Sequence, residues 1–299
     1  MLTEGRRGGL RPAASRITAM TLTDVSSLRQ SGELELLTWN ELGGLDAYVT
    51  TRAGGVSAGP YESLNLSLSV GDDPQAVLEN RRRTAAAIGA DLGDFVFARQ
   101  VHGAGVWIVG AADRGTGTLA HDQSVPEADV LVTTDPSIVL AIMTADCVPI
   151  VLHDPQAGVL ACVHAGWRGT VAGACTAAVT AMGQLGAAPE RIVAGIGPAI
   201  GAGRYQVDRD VHQAVTASFG PRTGQVMRPD GTGRWLLDLP TANRLVLRAA
   251  GVADGNIHTT GYVTGDGLFF SDRSARPCGR LALIARLRPD TPTTGGSTP

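Results

Sequence analysis

The sequence predicts an α+β fold, a single domain in which mixed β-sheets pack together and are flanked by helices. Apolar strand-like runs outnumber helical runs, and the two kinds do not alternate as they would in a βαβ fold. No linker, repeat or shift in composition divides the central part of the chain. We therefore expect one domain over residues 31–288, a disordered extension at 1–30 and a disordered tail at 289–299.

Strands are predicted from short apolar runs between turn-forming residues, at 34–39, 45–51, 95–98, 106–109, 128–134, 138–143, 191–196, 257–260, 268–271 and 280–287. Three helices are predicted to begin after aspartate N-caps, at Asp73, Asp208 and Asp238. An alanine-rich helix is predicted from an N-cap at Thr170 to about residue 185. The run of three arginines at 81–83 is expected on a solvated face of the first helix.

The overall charge gives no indication of a polyanionic partner. The chain of 299 residues has a formal net charge of −3 at pH 7, with 43% hydrophobic and 18% charged residues. These values are typical of a soluble globular protein and give no reason to expect binding to nucleic acid or to an anionic membrane. No apolar stretch approaches the length of a transmembrane helix. The oligomeric state is left open, with a monomer as the default expectation.

The N-terminus and the cysteines favour a cytoplasmic protein. Residues 1–20 are basic but lack the apolar core of a secretory signal, and Met20 is an alternative start that the sequence leaves open. The cysteines are irregularly spaced, which predicts reduced thiols rather than disulfides; they are Cys147, Cys162, Cys175 and Cys278.

The chain contains no lysine, so all 25 of its lysine-or-arginine residues are arginine. Schiff-base chemistry, pyridoxal phosphate attachment, P-loop phosphate binding and Ser-x-x-Lys catalysis all need a lysine. These classes are therefore excluded. An anionic ligand has to be held by arginine forks or backbone N–H groups.

One stretch, residues 144–170, combines a hairpin pattern with a cysteine and a histidine at its open end. Its sequence, TADCVPIVLHDPQAGVLACVHAGWRGT, places two apolar runs around an Asp-Pro…Gly turn. A loop over 154–158 pairs Val148 with His164, so that Cys147 and His164 lie within reach of one ion or substrate. His153 falls at the turn end, roughly 17 Å away at the rise of a strand, and is excluded from the site.

The Cys147–His164 pair admits three interpretations. A catalytic zinc takes three protein ligands and keeps one position for water, whose pKa it lowers; His102, in a strand-end loop, is the best third ligand. Asp146 could then act as a general base or orient a ligand histidine. A metal-free dyad with a thiolate nucleophile is the second interpretation. The third is a buried cysteine beside a satisfied histidine.

Six short motifs occur in order along the chain: RAGGVS from Arg52, SLNL from Ser63, QVHG from Gln100, TADCVPI from Thr144, CVHAGWRG from Cys162 and GPAIG from Gly197. Together they resemble the YfiH/laccase-domain family, also described as polyphenol oxidases and as purine nucleoside phosphorylases related to FAMIN. The resemblance runs from about residue 45 to 287. It implies a catalytic α+β domain whose mixed sheets are similar to those of deamidating toxins.

The resemblance also implies purine nucleoside and phosphate as substrates, for phosphorolysis of adenosine, inosine and methylthioadenosine and for deamination of adenosine. Family members bind zinc, or in some accounts copper, through two histidines and a cysteine, which by position are His102, Cys147 and His164. Deamination requires an activated water and a proton shuttle. Phosphorolysis requires cations that hold phosphate in line with C1′, and a proton donor for the departing purine.

Given that chemistry, further residues become candidates for the site. Arg52 and Arg168 are candidates for phosphate or ribose contacts, and Asn65 for a polar contact with substrate. Asp146 is the candidate proton shuttle, and it joins the three ligand residues in the predicted catalytic set.

The C-terminal part departs from the family pattern. Members commonly have paired arginines and then Thr-Gly-Arg after Phe-Phe-Ser, whereas this chain has Asp272 after Ser271 and Cys278 before Gly279. The substrate contacts of that wall are therefore expected to differ. Cys278 is expected to replace the threonine sterically, with an extra metal ligand as the alternative.

Two other functions remain as alternatives. A Cys–His amide hydrolase acting on peptidoglycan precursors is suggested by the toxin-like fold. A copper-dependent polyphenol oxidase is suggested by the family's older description. A multicopper centre, however, needs more ligands than six histidines, several of them remote in sequence, can supply.

Overall fold

The structure is a computed structural model that describes residues 25–288. Its strands are β1 Ser26–Ser31, β2 Leu34–Trp39, β3 Leu45–Thr50, β4 Phe95–Phe97, β5 Val106–Ile108, β6 Val130–Thr133, β7 Val139–Thr144, β8 Val148–Asp154, β9 Val159–Ala165, β10 Val193–Ile196, β11 Gln206–Val207, β12 Met227–Pro229, β13 Trp235–Leu237, β14 Ile257–Thr259 and β15 Leu281–Leu287. Its helices are α1 Pro74–Ala87, α2 Trp167–Ala172, α3 Ala174–Gln184, α4 Arg209–Phe219, α5 Thr223–Val226 and α6 Leu239–Ala249.

The strands form two six-stranded sheets and one small sheet. The first sheet has the order β1-β2-β3-β15-β7-β4 and the second the order β14-β10-β8-β9-β6-β5. The small sheet has the order β11-β13-β12. Three pairs in the large sheets are parallel, β4 with β7, β5 with β6 and β10 with β14, and the others are antiparallel. The predicted α+β fold with mixed sheets is confirmed.

The two large sheets pack face to face over a shared apolar core, to which they contribute Val49, Leu140, Leu283, Val151 and Leu160. Helices α3, α4 and α6 cover the outer face of the second sheet. Helix α1 covers the outer face of the first. Each sheet is therefore buried on both faces, which agrees with the continuous apolar runs in β7, β8 and β9. None of the helices within 25–288 has the length and hydropathy that a membrane span requires.

Most predicted strands and helices are confirmed, and two are wrong. The N-caps Asp73, Asp208 and Asp238 each accept a backbone hydrogen bond at the start of their helix. The alanine-rich helix begins earlier, at Trp167, and is interrupted at Gly173, whose φ of 84° is left-handed. Residues 268–271 form no strand. Strand β1 spans Ser26–Ser31 and so includes residues of the extension that was predicted to be disordered. The predicted disorder of 1–24 and 289–299 lies outside the described residues. The single domain over 31–288 stays a prediction.

The hairpin of β8 and β9 forms as predicted, but its register is one residue away from the predicted one. Pro149, not Val148, pairs with His164, because the pairing continues through Asp154 and Val159 and leaves a loop over 155–158. The Asp154 carboxylate closes this shorter loop by accepting hydrogen bonds from the backbone N–H groups of Gln156 and Ala157. His153 stays at the turn end, as expected.

The arginine run on α1 is not a uniformly solvated face, because Arg81 is buried. Its guanidinium donates to the carbonyl oxygens of Leu66 at 2.8 Å and of Gly117 and Thr118 at 2.7 Å. It also lies 4.0 Å from the centroid of the Phe97 ring. Burial lowers the pKa of Arg81 to about 10, so the side chain remains charged at neutral pH. Arg81 thereby ties α1 to two loops and to β4.

Replacing Arg81 by methionine should lower the free energy of unfolding by about 3 kcal/mol or more, because three buried carbonyl oxygens would lose their donors. The neighbouring Arg82 is the matched control: its side chain is 56% exposed and only approaches Glu79 at 3.7 Å. Arg82→Met should cost less than about 0.5 kcal/mol. Urea unfolding of both variants tests this, and equal losses would contradict the structural role given to Arg81.

Candidate metal centre and cavity

The site is organised by the buried carboxylate of Asp129, which directly precedes β6. Its Oδ1 accepts hydrogen bonds from the backbone N–H of His102 at 3.0 Å and from His164 Nδ1 at 2.7 Å. Its Oδ2 accepts from the N–H groups of Val101 at 3.2 Å and Gly103 at 2.7 Å. Burial would raise the pKa of Asp129, but His164 and these N–H groups outweigh burial and lower it. A charged carboxylate thus joins the His102 loop to β9.

Asp129 also determines which nitrogen of His164 can bind a ligand. An ionised carboxylate only accepts, so the Nδ1 of His164 carries a proton, and Nε2 is the ring nitrogen that can give up its proton to bind a ligand. The same carboxylate supports His102, whose φ of 62° is unusual for a residue other than glycine. The same carboxylate therefore holds the ring of His164 and the backbone of His102, and the two ring centroids lie 4.7 Å apart.

Cys147 enters the site from the turn between β7 and β8, and Asp146 fixes that turn. Asp146 has a φ of 95°. Its Oδ1 accepts from the Thr264 hydroxyl at 2.5 Å and its Oδ2 from the Arg273 backbone N–H at 2.6 Å. Its carbonyl oxygen accepts from the N–H of Ile200. Contacts from three distant segments therefore hold the strained residue that aims Cys147.

The donor atoms of His102, Cys147 and His164 lie within 4.8 Å of one another, a spacing at which one metal ion can contact all three. A close approach by Gly166 shapes this space. A Cβ at Gly166 would lie 2.8 Å from Cys147 Sγ and 3.1 Å from His102 Cδ2. Two nitrogens and one thiolate are a donor set typical of zinc. The residues present fit a metal ion.

The electrostatics of the trio favour an ionised cysteine. Burial would raise the pKa of the Cys147 thiol, but the charge of His164 and hydrogen bonds with both histidines lower it to about 6. Burial would lower the pKa of His164, but Cys147 and Asp129 raise it. A thiolate is the form that binds metals and also the form that acts as a nucleophile. An ionised Cys147 is therefore the form that both the zinc interpretation and the dyad interpretation require.

The trio opens into a cavity of about 520 Å³ at the end of the sandwich where β4, β7 and β9 finish and β8 begins. Its volume is in the range of small-molecule sites. Its wall carries four arginines, Arg168, Arg273, Arg276 and Arg280. Asp272 is one of the two residues at which the chain departs from the family pattern. Its carboxylate pairs with Arg276 at 2.5 Å and with Arg280 at 3.0 Å.

Arg168 and Arg273 have no carboxylate partner among the described residues. Arg168 lies 4.5 Å from the centroid of the Trp167 ring, and Arg273 lies 5.1 Å from that of Tyr205. Burial raises the pKa of Tyr205 to about 12, so its phenol keeps its proton. This part of the wall is therefore positively charged.

The structure brings together five of the predicted site residues, which line the cavity: His102, Asp146, Cys147, His164 and Arg168. The predicted role of Asp146 in orienting a ligand histidine is taken by Asp129 instead. Sequence reasoning missed Asp129, although an acidic residue inside an apolar predicted strand was a usable signal of a buried functional charge.

Arg52 and Asn65 do not line the cavity, and each makes structural contacts instead of the predicted substrate contacts. Arg52 donates two hydrogen bonds to the carbonyl oxygen of Glu62 and lies over the Phe270 ring. Asn65 is fully buried, donates to Asp72, and accepts from the backbone N–H of Arg280. Both hold the loops behind the cavity wall.

Cys278 is buried in a small apolar cluster with Ala145 and Phe270. It is outside the group of donor atoms that could share an ion. The steric role predicted for this cysteine is therefore favoured over an extra metal ligand.

Residues 46–288 match the family described as "Multi-copper polyphenol oxidoreductase laccase". The chain belongs to this YfiH/laccase-domain family. It is 43% identical over 247 residues to a protein of Deinococcus radiodurans named purine nucleoside phosphorylase, covering 80% of this chain and 87% of that protein. It is 39% identical to adenosine deaminase RL5 from an unknown prokaryotic organism, covering 75% and 86%.

The fold is likewise similar to a solved structure of the family. The crystal structure of YlmD from Geobacillus stearothermophilus superimposes with a TM-score of 0.84 at 37% sequence identity, over 89% of this chain and 100% of that one. The family and the α+β fold expected from the motifs are therefore confirmed.

Replacing Gly166 by alanine should weaken zinc binding by about tenfold or more, because the new Cβ would displace two ligand side chains. Gly183 is the matched control, since it lies in α3 with nothing within 4 Å of an added Cβ. Gly183→Ala should leave zinc affinity unchanged and stabilise the helix by up to about 1 kcal/mol. Competition with a chromogenic chelator measures both, and an unchanged affinity of Gly166→Ala would contradict the placement of the ion.

Proposed function

We propose that this chain is a zinc-dependent purine nucleoside phosphorylase acting on adenosine, inosine and methylthioadenosine, with adenosine deaminase activity as a second reaction of the same cavity. The observation that carries the proposal is the opening of the His102–Cys147–His164 trio into a cavity lined by arginines. The relatives named purine nucleoside phosphorylase and adenosine deaminase support it.

Arg168 and Arg273 are proposed to hold the phosphate. Neither is neutralised by a carboxylate within 25–288, and both line the cavity. Each guanidinium packs near an aromatic ring, and Arg273 also donates one hydrogen bond to the carbonyl oxygen of Gln206, which leaves further N–H groups for an anion. Arg276 and Arg280 are already paired with Asp272 and contribute less net charge. Because the chain has no lysine, the proposed phosphate site consists of arginine forks.

His102, Cys147 and His164 would hold the zinc ion, with copper as the other candidate for this donor set. When bound, the ion would supply Lewis acidity at the inner end of the cavity. Asp129 would keep the proton of His164 on Nδ1 and so keep Nε2 directed to the ion. We assign Asp146 to fixing the cysteine turn rather than to the proton shuttle that the sequence predicted, since both of its carboxylate oxygens already accept hydrogen bonds.

The family description names a multi-copper laccase, but the described residues favour a single metal ion. Among residues 25–288, one group of three His, Cys or acidic side chains converges closely enough to share an ion. All four cysteines are free. We place the protein in the cytoplasm, because Cys147 must stay reduced to act as a ligand.

Purified protein of measured zinc content should convert adenosine to adenine and ribose 1-phosphate only when phosphate is present. It should also form inosine slowly without phosphate. Removal of the metal by a chelator should abolish both reactions, and added zinc should restore them. Chromatography of the products measures each outcome. If neither product forms, and if the protein hydrolyses an amide substrate even after chelation, the Cys–His hydrolase would be established instead.

Arg168→Gln separates the two reactions in the same assay. Loss of one charged hydrogen-bond donor to phosphate should raise the KM for phosphate about tenfold. Deamination, which uses no phosphate, should change much less. Arg82→Gln is the control, because Arg82 is exposed on α1 and lies outside the cavity wall. Equal effects of Arg168→Gln on both reactions would contradict its assignment to phosphate.

A further inference from the structure

His121 lies in the cavity wall without a structural task of its own. It begins the short turn His121–Gln123 and is half-buried. It lines the same cavity as the metal trio and the arginines. Within the described residues its ring makes no hydrogen bond, ion pair or ring contact. It is also outside the group of donor atoms that could share the ion.

The loop that carries His121 is fastened on both sides. Before it, Arg81 donates to the carbonyl oxygens of Gly117 and Thr118 at 2.7 Å. After it, the N–H of Val125 donates to the carbonyl oxygen of Phe97 at 3.0 Å. Both anchors involve β4 or the arginine that stacks on it, and β4 leads directly to the His102 loop. The buried Arg81 thus holds the loop that carries His121.

Phosphorolysis needs a proton donor, and the other titratable groups of the cavity are poorly suited to the task. The carboxylate of Asp146 accepts two hydrogen bonds, and Asp272 is paired with two arginines. Arginine does not give up its proton in proteins. Tyr205 retains its proton because burial raises its pKa to about 12. His121 is the remaining group that is not a ligand candidate.

We propose that His121 is a catalytic residue that donates a proton to the departing purine; this inference rests on the proposed phosphorolysis. The C1′–N9 bond breaks and its electron pair goes to the purine, while a phosphate oxygen forms the new bond to C1′. The imidazolium N–H of His121 passes its proton to N7 of the purine. The proton that the attacking phosphate carried returns to His121, so the products are the neutral base and ribose 1-phosphate.

The test compares inosine with 7-methylinosine, whose base already carries a positive charge and leaves without a proton at N7. His121→Asn should lower kcat for inosine phosphorolysis by about 100-fold, the usual contribution of a general acid. It should lower kcat for 7-methylinosine by less than about threefold. Zinc content, measured by mass spectrometry, should stay at the wild-type value. Asp122→Asn, an exposed change in the same turn, should leave both rates unchanged.

Equal losses on the two nucleosides, an unchanged rate on inosine, or a loss of zinc in His121→Asn would each overturn the role of His121. These outcomes differ from failure of the proposed function itself. If the wild-type, zinc-loaded protein cleaves neither nucleoside in the presence of phosphate, the phosphorolysis proposal falls, and the role of His121 falls with it.

Discussion

The candidate site depends on the carboxylate of Asp129 more than on any other group. A buried carboxylate is costly by several kcal/mol unless donors surround it, and here four donors do so. Three of them are backbone N–H groups of the loop that carries His102, and the fourth is the ring of His164. The energetic need to satisfy this charge therefore forces two ligand candidates from separate segments into one arrangement. The protein itself therefore preorganises this part of the site.

The two packed sheets determine at which end of the protein the candidate site and its cavity lie. The turn before β8, the end of β9 and the loop after β4 all lie at one end of the packed sheets, which places the three candidate ligands at that end. The arginine-bearing segment around Asp272 is attached to this end through Asp146, which accepts the N–H of Arg273. The turn that contains Asp146 thus joins the candidate metal ligands to the charged wall. A change at the wall is expected to reach Cys147 through this contact.

The sequence predicted the parts of the site that depend on local structure. Cys147 and His164 lie on one hairpin, and a one-residue error in register does not separate them. Helices with aspartate N-caps were predictable for the same reason, since their starting signals are local. What sequence reasoning missed depends on contacts between distant residues. The buried Arg81 donates hydrogen bonds to carbonyl oxygens 15, 36 and 37 positions away. The amide oxygen of Asn65 accepts a hydrogen bond from the backbone N–H of Arg280. A residue type alone does not reveal such partners.

We propose that Asp129 holds His102 and His164 in place as two of the three ligands of one metal ion, with Cys147 as the third. Anomalous diffraction at the zinc absorption edge, on crystals of the zinc-loaded protein, tests it most directly. We predict one peak bonded to a His102 ring nitrogen, Cys147 Sγ and His164 Nε2, with Nδ1 of His164 still donating to Asp129. A peak bonded to Nδ1 of His164, or the absence of a peak among these three side chains, would contradict the claim.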